Sequence, residues 1–105
     1  MKPIRIKYSE EAKADLKALS RFLVRQAGNL TARDVIRELL KSFLSLEEMP
    51  YLGHEHPDKL LASRGYRVYT VGNYVGVYLV IEKWILITSV YHAKTDWLRY
   101  DKEDE

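Results

Sequence analysis

The sequence predicts an α+β fold, β-α-α-β-β-β, with a helical hairpin packed on one face of a mainly antiparallel sheet. Three observations predict it. The chain opens on a strictly alternating run, continues through two stretches with apolar residues at helical spacing, and ends in three Val-, Ile- and Tyr-rich runs parted by short turn signals.

Ile4, Ile6 and Tyr8 alternate with Arg5 and Lys7, the period of a half-buried strand. Ser9 is then placed as an N-cap, and Glu10 and Glu11 sit where the helix dipole favours acids. Ala12, Leu16, Leu19, Phe22 and Leu23 recur at helical spacing until Gly28-Asn29 stops the helix. Thr31 is expected to cap a second helix with Asp34 in its first turn. Its apolar face is Val35, Ile36, Leu39, Leu40, Phe43 and Leu46, and Pro50 and Gly53 end it. The short link between the helices favours an antiparallel hairpin. Residues 50–63 read as loop. Strands follow at 66–72, 74–82 and 84–91, and the links Gly72-Asn73 and Glu82-Lys83 are short enough to force a meander. Two helices striped on one side cover one face of such a sheet. The other face stays open, or is covered only by the C-terminal segment, and function is expected there.

The 105 residues fit one domain, 1–105, and the acidic end 101–105 is expected to fray. The hydrophobic fraction of 47% suffices for a core. The absence of cysteine excludes disulfides, thiolate metal sites and cysteine nucleophiles. No run approaches the roughly 20 apolar residues of a membrane span, and Met1-Lys2-Pro3-Ile4-Arg5 does not begin a signal peptide. A cytoplasmic protein without a membrane partner is expected. The net charge of +2 hides an asymmetry: residues 1–100 hold 16 basic and 11 acidic side chains, a balance of +5 that suits an anionic partner.

The phosphate-loop, dinucleotide, H-E-x-x-H and G-x-S-x-G signatures are missing, so no cofactor is expected. What remains is a set of basic, imidazole and phenol groups in the second half: Lys59, Arg64, Arg67, Tyr69, Tyr91, His92 and Lys94. Arg67 alternates with Val68. If Val68 points into the helix layer, Arg67 points at the open face, where a guanidinium is a good phosphate clamp. From composition alone, a surface arginine paired with a carboxylate is the plainer reading. His92 is expected at a strand end beside the open face, with a pKa suited to moving protons near neutrality, although a lone histidine is commonly structural. His54, Glu55 and His56 read as an exposed loop. Two histidines without a third ligand make no metal site, and Glu55 is a possible base. Lys13, Lys17, Arg21 and Arg25, then Arg33, Arg37 and Lys41, repeat at steps of four. Such like-charge pairs cost an isolated helix roughly 0.2–0.5 kcal/mol each, which an acidic partner would relieve; a solvated outer face is the plainer reading. Trp84, Trp97 and Tyr78 are by default core residues. Basic and aromatic residues together also suit stacked bases, but no established single-strand-binding pattern is present.

Taken in order, Tyr8-Ser9-Glu10-Glu11-Ala12 with Asp15-Leu16, Pro50-x-x-Gly53, Gly65-Tyr66-Arg67-Val68, Val71-Gly72-Asn73-Tyr74, Val90-Tyr91-His92 and Asp96-Trp97 resemble the RelE/ParE superfamily of type II toxins. The resemblance runs from about residue 3 to residue 100. It implies a growth-arresting toxin wrapped and blocked by a cognate antitoxin protein. RelE-like members cut messenger RNA on the ribosome, while ParE-like members poison DNA gyrase without known nuclease chemistry. Under the resemblance Arg67 falls on an arginine used against the scissile phosphate, and His92 in the segment where nucleases place acid or base groups. The reading adopted from sequence is a metal-independent, ribosome-dependent mRNA endonuclease with Arg67, His92, Tyr91 and Lys94 catalytic and Lys59 and Arg64 on phosphate. In that reading Arg67→Ala abolishes toxicity and leaves the fold intact. A gyrase inhibitor, to which Val71-Gly72-Asn73-Tyr74 and Asp96-Trp97 are closer, and a degenerate toxin that only binds antitoxin are the alternatives. The chain departs from both patterns: His92-Ala93-Lys94-Thr95-Asp96 is poorer in arginine than ParE-like endings, and Lys59 stands alone where RelE has paired lysines.

Overall fold

The computed structural model describes residues 4–94; the expected fraying of 101–105 and the motif residues Asp96 and Trp97 lie outside them. The elements are β1 (Arg5–Tyr8), α1 (Glu10–Ala27), α2 (Asn29–Glu48), β2 (His54–Glu55), α3 (Lys59–Ser63), β3 (Arg67–Val71), β4 (Tyr74–Ile81) and β5 (Trp84–His92). The five strands form one sheet in the order β1-β5-β4-β3-β2. All neighbours are antiparallel except β1 and β5, which run parallel.

Ser9 caps α1 as its sequence predicts. Its Oγ accepts from the Ala12 N–H at 3.0 Å and donates to the Thr88 carbonyl at 3.2 Å, so one side chain starts the helix and ties it to β5. The second cap differs from expectation. α2 begins at Asn29, and Gly28, at φ +90°, serves as C-cap of α1 and N-cap of α2 at once. The chain reverses over a single left-handed residue, which leaves Thr31 inside the first turn. Residues 50–63, read from sequence as loop, contain β2 and the short α3. The latter is capped by Asp58, whose Oδ1 accepts from the Leu61 N–H at 3.0 Å.

The helices pack through Ala12, Leu39, Phe43 and Leu46 onto Tyr78, Ile85, Ile87 and Val90. Phe43 packs closely on β4 because residue 76 is glycine; a Cβ there would come 2.7 Å from the ring. At the sheet edge, Glu47 of α2 accepts the Ile6 N–H at 2.7 Å, closing a backbone donor of β1. Burial, with the Glu47 charge adding to it, pushes the Tyr8 phenol up to about 12. On the opposite face Val68, Val75 and Val77 pack with Tyr66 and Tyr91.

The strand pairing holds one irregularity, between Val77 and Tyr78. Val77 pairs with Ser89 but Tyr78 pairs with Ile87, which leaves Thr88 as an extra residue in β5. Its hydroxyl donates to the Val77 carbonyl at 3.2 Å and fills the gap in the ladder. This bulge inverts the alternation of β5. Ile85 and Ile87 face the helices before it, Val90 after it.

Candidate functional site

Two of the sequence expectations turn on which way β3 and β5 face. Tyr69 and Val71 pack against the helix side, and by alternation Arg67 shares that side, while Val68 lies on the other. The condition that would have aimed Arg67 at the open face is therefore reversed. Its guanidinium reaches under residues 51–53, donating from Nη2 to the Gly53 carbonyl at 2.7 Å and to the Tyr51 carbonyl at 3.3 Å. The cation also lies 5.0 Å from the Tyr51 ring centre. Tyr78, fully buried, completes the clamp: its hydroxyl donates to the Pro50 carbonyl at 2.8 Å and accepts from the Gly53 N–H at 3.1 Å, with Arg67 Nε at 3.4 Å. A side chain at Gly53 would overlap the Val68 carbonyl and crowd that hydroxyl, so the close approach requires glycine.

His92 was expected beside the open face. The bulge turns it to the helix side instead, where its ring meets Tyr74 edge-on at 5.3 Å. Its Nδ1 accepts the Lys94 N–H at 3.0 Å, which puts the proton of the neutral ring on Nε2. His92, Lys94 and Tyr91 border a hollow of about 580 Å³ against α1, with Asp15, Leu19 and Phe22. The Asp15 carboxylate accepts the Val90 N–H at 2.9 Å. Burial, and the nearby Glu11 charge, nevertheless raise its pKa above the ordinary value.

The same bulge sends the Tyr91 side chain to the open face, with Tyr66. Lys59 and Arg64, both exposed, bracket α3, which borders that face through Leu61. The candidates thus do not converge: Arg67 lies under the 51–53 loop, His92 and Lys94 beside α1, Tyr91 in the cluster with Tyr66, and Lys59 and Arg64 at the two ends of α3.

Sequence reasoning missed two residues of this region. His56, expected in an exposed loop, is 3% exposed and lines a cavity on the open face with Tyr66, Thr88, Ser89 and Tyr91. The available signal was Asp58 three residues before Leu61, an N-cap announcing a helix over this segment. Tyr78 is core as expected, but Trp84 is 41% exposed, its ring lying under the Lys7 ammonium at 4.5 Å. Glu55 pairs with Arg67 across β2 and β3 and stays exposed. Among the described residues no group of three acidic or imidazole side chains is placed to hold a metal ion, and no helix is long and apolar enough to cross a membrane.

A larger concavity lies elsewhere, between the helical hairpin and β1, with a volume of about 840 Å³. Ile6, Tyr8, Val24, Ile36, Leu40 and Leu44 form its apolar floor, and Arg33, Arg37 and Lys41 stand along one bank. Asp34 and Glu38 border a different hollow, against the β3–β4 turn. The charges of α2 are therefore sorted by side, basic toward the groove and acidic away from it. Among the described residues the ion pair formed is Lys13 with Glu10 at 3.7 Å, so the bank remains uncompensated.

Comparison with known proteins agrees with this architecture. Residues 6–97 match the family model for the ParE toxin of the type II toxin-antitoxin system parDE. Among solved structures, a chain of the chromosomal ParDE system of P. aeruginosa superposes with a TM-score of 0.74 at 20% identity, covering 87% of this chain and 97% of that one. A chain of the RelBE2 toxin-antitoxin complex of Mycobacterium tuberculosis superposes at 0.64 with 19% identity, covering 86% and 98%. No curated protein matches the sequence.

Proposed function

We propose, starting from the fact that the chain belongs to the ParE toxin family of type II toxin-antitoxin systems, that it arrests growth by binding DNA gyrase as a protein-contact module. The observation that carries this reading is the engagement of Arg67. In the nuclease reading that guanidinium stabilises charge developing on a phosphate, which requires donors aimed at the substrate. Here its short hydrogen bond goes to the Gly53 carbonyl and its face to Tyr51, while His92 lies beside α1. Arg67 lies opposite Tyr78 and His92 opposite Tyr74, four residues apart along β4, so proton transfer and charge stabilisation are not focused on one point.

The antitoxin is the partner expected in the groove of the helical hairpin. An apolar floor of about 840 Å³ with Arg33, Arg37 and Lys41 on its bank fits an acidic amphipathic segment. Its docking would relieve the like-charge spacing along α2. With no partner present to repay them, these repulsions persist in the isolated toxin.

A second reading, ribosome-dependent cleavage of messenger RNA, is favoured by the polar cavity at Tyr91 and His56. One experiment separates the two. Purified chain is titrated into a gyrase supercoiling assay, and messenger RNA is probed after induction in cells without antitoxin. The gyrase reading expects inhibited supercoiling and intact transcripts. Transcripts cut on ribosomes, with supercoiling untouched, would replace it by the second.

A further inference from the structure

On the helix-free face, β1, β5 and β4 line up two rows of side chains. Arg5, Trp84 and Ile81 are cross-strand neighbours in one row, and Lys7, Leu86 and Leu79 in the next. All six point away from the helices, because Ile6, Tyr8, Val80, Ile85 and Ile87, which alternate with them, pack in the helix-side core. The irregularity at Thr88 lies beyond both rows and leaves this order intact.

The patch is apolar and in water. Ile81 is 43% and Trp84 41% exposed, the two large apolar residues of the described strands left so open, and Leu79 and Leu86 beside them are half-buried. Contiguous exposed apolar groups rimmed by charge mark contact surfaces, and tryptophan is among the side chains that dominate binding there. The rim has one sign. Arg5 and Lys7 are exposed, and among the described residues neither forms an ion pair with a carboxylate. Glu82 and Lys83, in the adjoining turn, offset each other. A complementary surface is therefore acidic around an apolar centre. The Lys7 ammonium lies over the Trp84 ring, 4.5 Å from its centre, so a base could stack on that face only by displacing the cation. Leu79, Ile81 and Leu86 offer no stacking face. Both observations favour a protein partner over a nucleic acid.

We propose that this patch is the surface with which the chain grips its protein target, Trp84 and Ile81 seated in an apolar hollow and Arg5 and Lys7 meeting acids around it. The inference rests on the gyrase reading above and adds the contact residues to it. β1 turns Ile6 and Tyr8 into the hairpin groove and Arg5 and Lys7 to the opposite side, so antitoxin and target would meet the two faces of one strand.

The test measures binding of purified full chain to DNA gyrase holoenzyme without DNA, by surface plasmon resonance, beside a titration with a single-stranded oligonucleotide. Growth arrest by the same variants is scored in cells lacking antitoxin. Trp84→Ala should weaken gyrase binding at least about thirtyfold, the loss that marks a hot-spot residue. Arg5→Glu combined with Lys7→Glu should slow association at least about tenfold and remove most of its salt dependence. Lys17→Glu combined with Arg21→Glu, the same charge change on exposed positions of α1, is the control and should stay within about threefold of wild type. Circular dichroism checks folding; if Trp84→Ala does not fold, the reversed pair carries the test. Loss of binding and of arrest in the patch variants alone supports the patch and the gyrase reading together. A wild type that arrests growth without binding gyrase removes the gyrase reading, and loss of arrest in the folded patch variants would then still support the patch. Folded patch variants that bind and arrest like wild type, a wild type that does neither, or variants whose only loss is oligonucleotide binding would each overturn the proposal.

Discussion

Replacing Arg67 by alanine should destabilise the fold before it touches any chemistry. The bond from the guanidinium to the Gly53 carbonyl, at 2.7 Å, is short and charge-assisted, a class that contributes about 1.5–3 kcal/mol. The contacts at 3.3 Å to Tyr51 and 3.4 Å to Tyr78 lie beyond the usual range and add little. The face of Tyr51, a residue 67% exposed, adds about 0.5–1 kcal/mol as an exposed cation–π contact. Together these give about 2–4 kcal/mol, which in a chain of this size lowers Tm by at least roughly 10 °C. Arg67→Lys should recover less than half, because an ammonium lacks the planar fork that bonds a carbonyl and covers a ring together. Arg64→Ala, an exposed cation nearby, is the control and should change stability by less than about 0.5 kcal/mol. The assay is urea unfolding of the purified chain, read by far-UV circular dichroism with growth arrest scored in parallel. An Arg67→Ala variant with the wild-type midpoint and no toxicity would refute the clamp and return the arginine to the target.

Gly76→Ala sets a methyl 2.7 Å from the Phe43 ring, which is fixed between α2 and β4; overpacking of this kind costs about 1–3 kcal/mol, measurable in the same unfolding assay. Glu82 occupies the left-handed region at φ 50° in the β4–β5 turn, so Glu82→Gly should raise stability by up to about 1 kcal/mol once the added freedom of the unfolded chain is subtracted. Asp15 has its pKa raised by burial and by Glu11, so the folded state binds its proton more tightly than the unfolded state does. That contribution is complete below the unfolded carboxylate pKa and is lost as pH rises through the folded value. Acidification from neutrality into the carboxylate range should therefore recover it, and Asp15→Asn should flatten this part of the pH–stability curve; an unchanged curve would contradict the assignment.

The long periodic elements were legible because each makes one demand on the chain. Ser9, the α1 stripe and the β3–β4 turn at Gly72 lie where their residue types require. Orientation was harder. Both faces of the sheet are apolar, and β4 buries Val75, Gly76, Val77 and Tyr78 in succession, so alternation alone could not say which side of β3 meets the helices. The bulge at Thr88 has no residue signature, yet it decides where Tyr91 and His92 point. β2 and α3 are too short to show a period. The start of α3 depends on the local Asp58 cap, and the loop before β2 on the clamp of Arg67 and Tyr78, whose contacts reach back to Pro50 and Gly53.

The parallel pairing of β1 with β5 joins strands 79 residues apart in sequence, Arg5 with Trp84 through Tyr8 with Ile87. During synthesis, Arg5–Tyr8 is made before Trp84–His92, so the sheet cannot close until β5 has been made. At about 5–20 residues per second this delay lasts several seconds. Over that interval Ile6 and Tyr8, which also line the hairpin groove, lack the neighbouring strand that holds them in place. Pairing of β5 with β1 thus closes the sheet and at the same step fixes two residues of the floor proposed for the antitoxin.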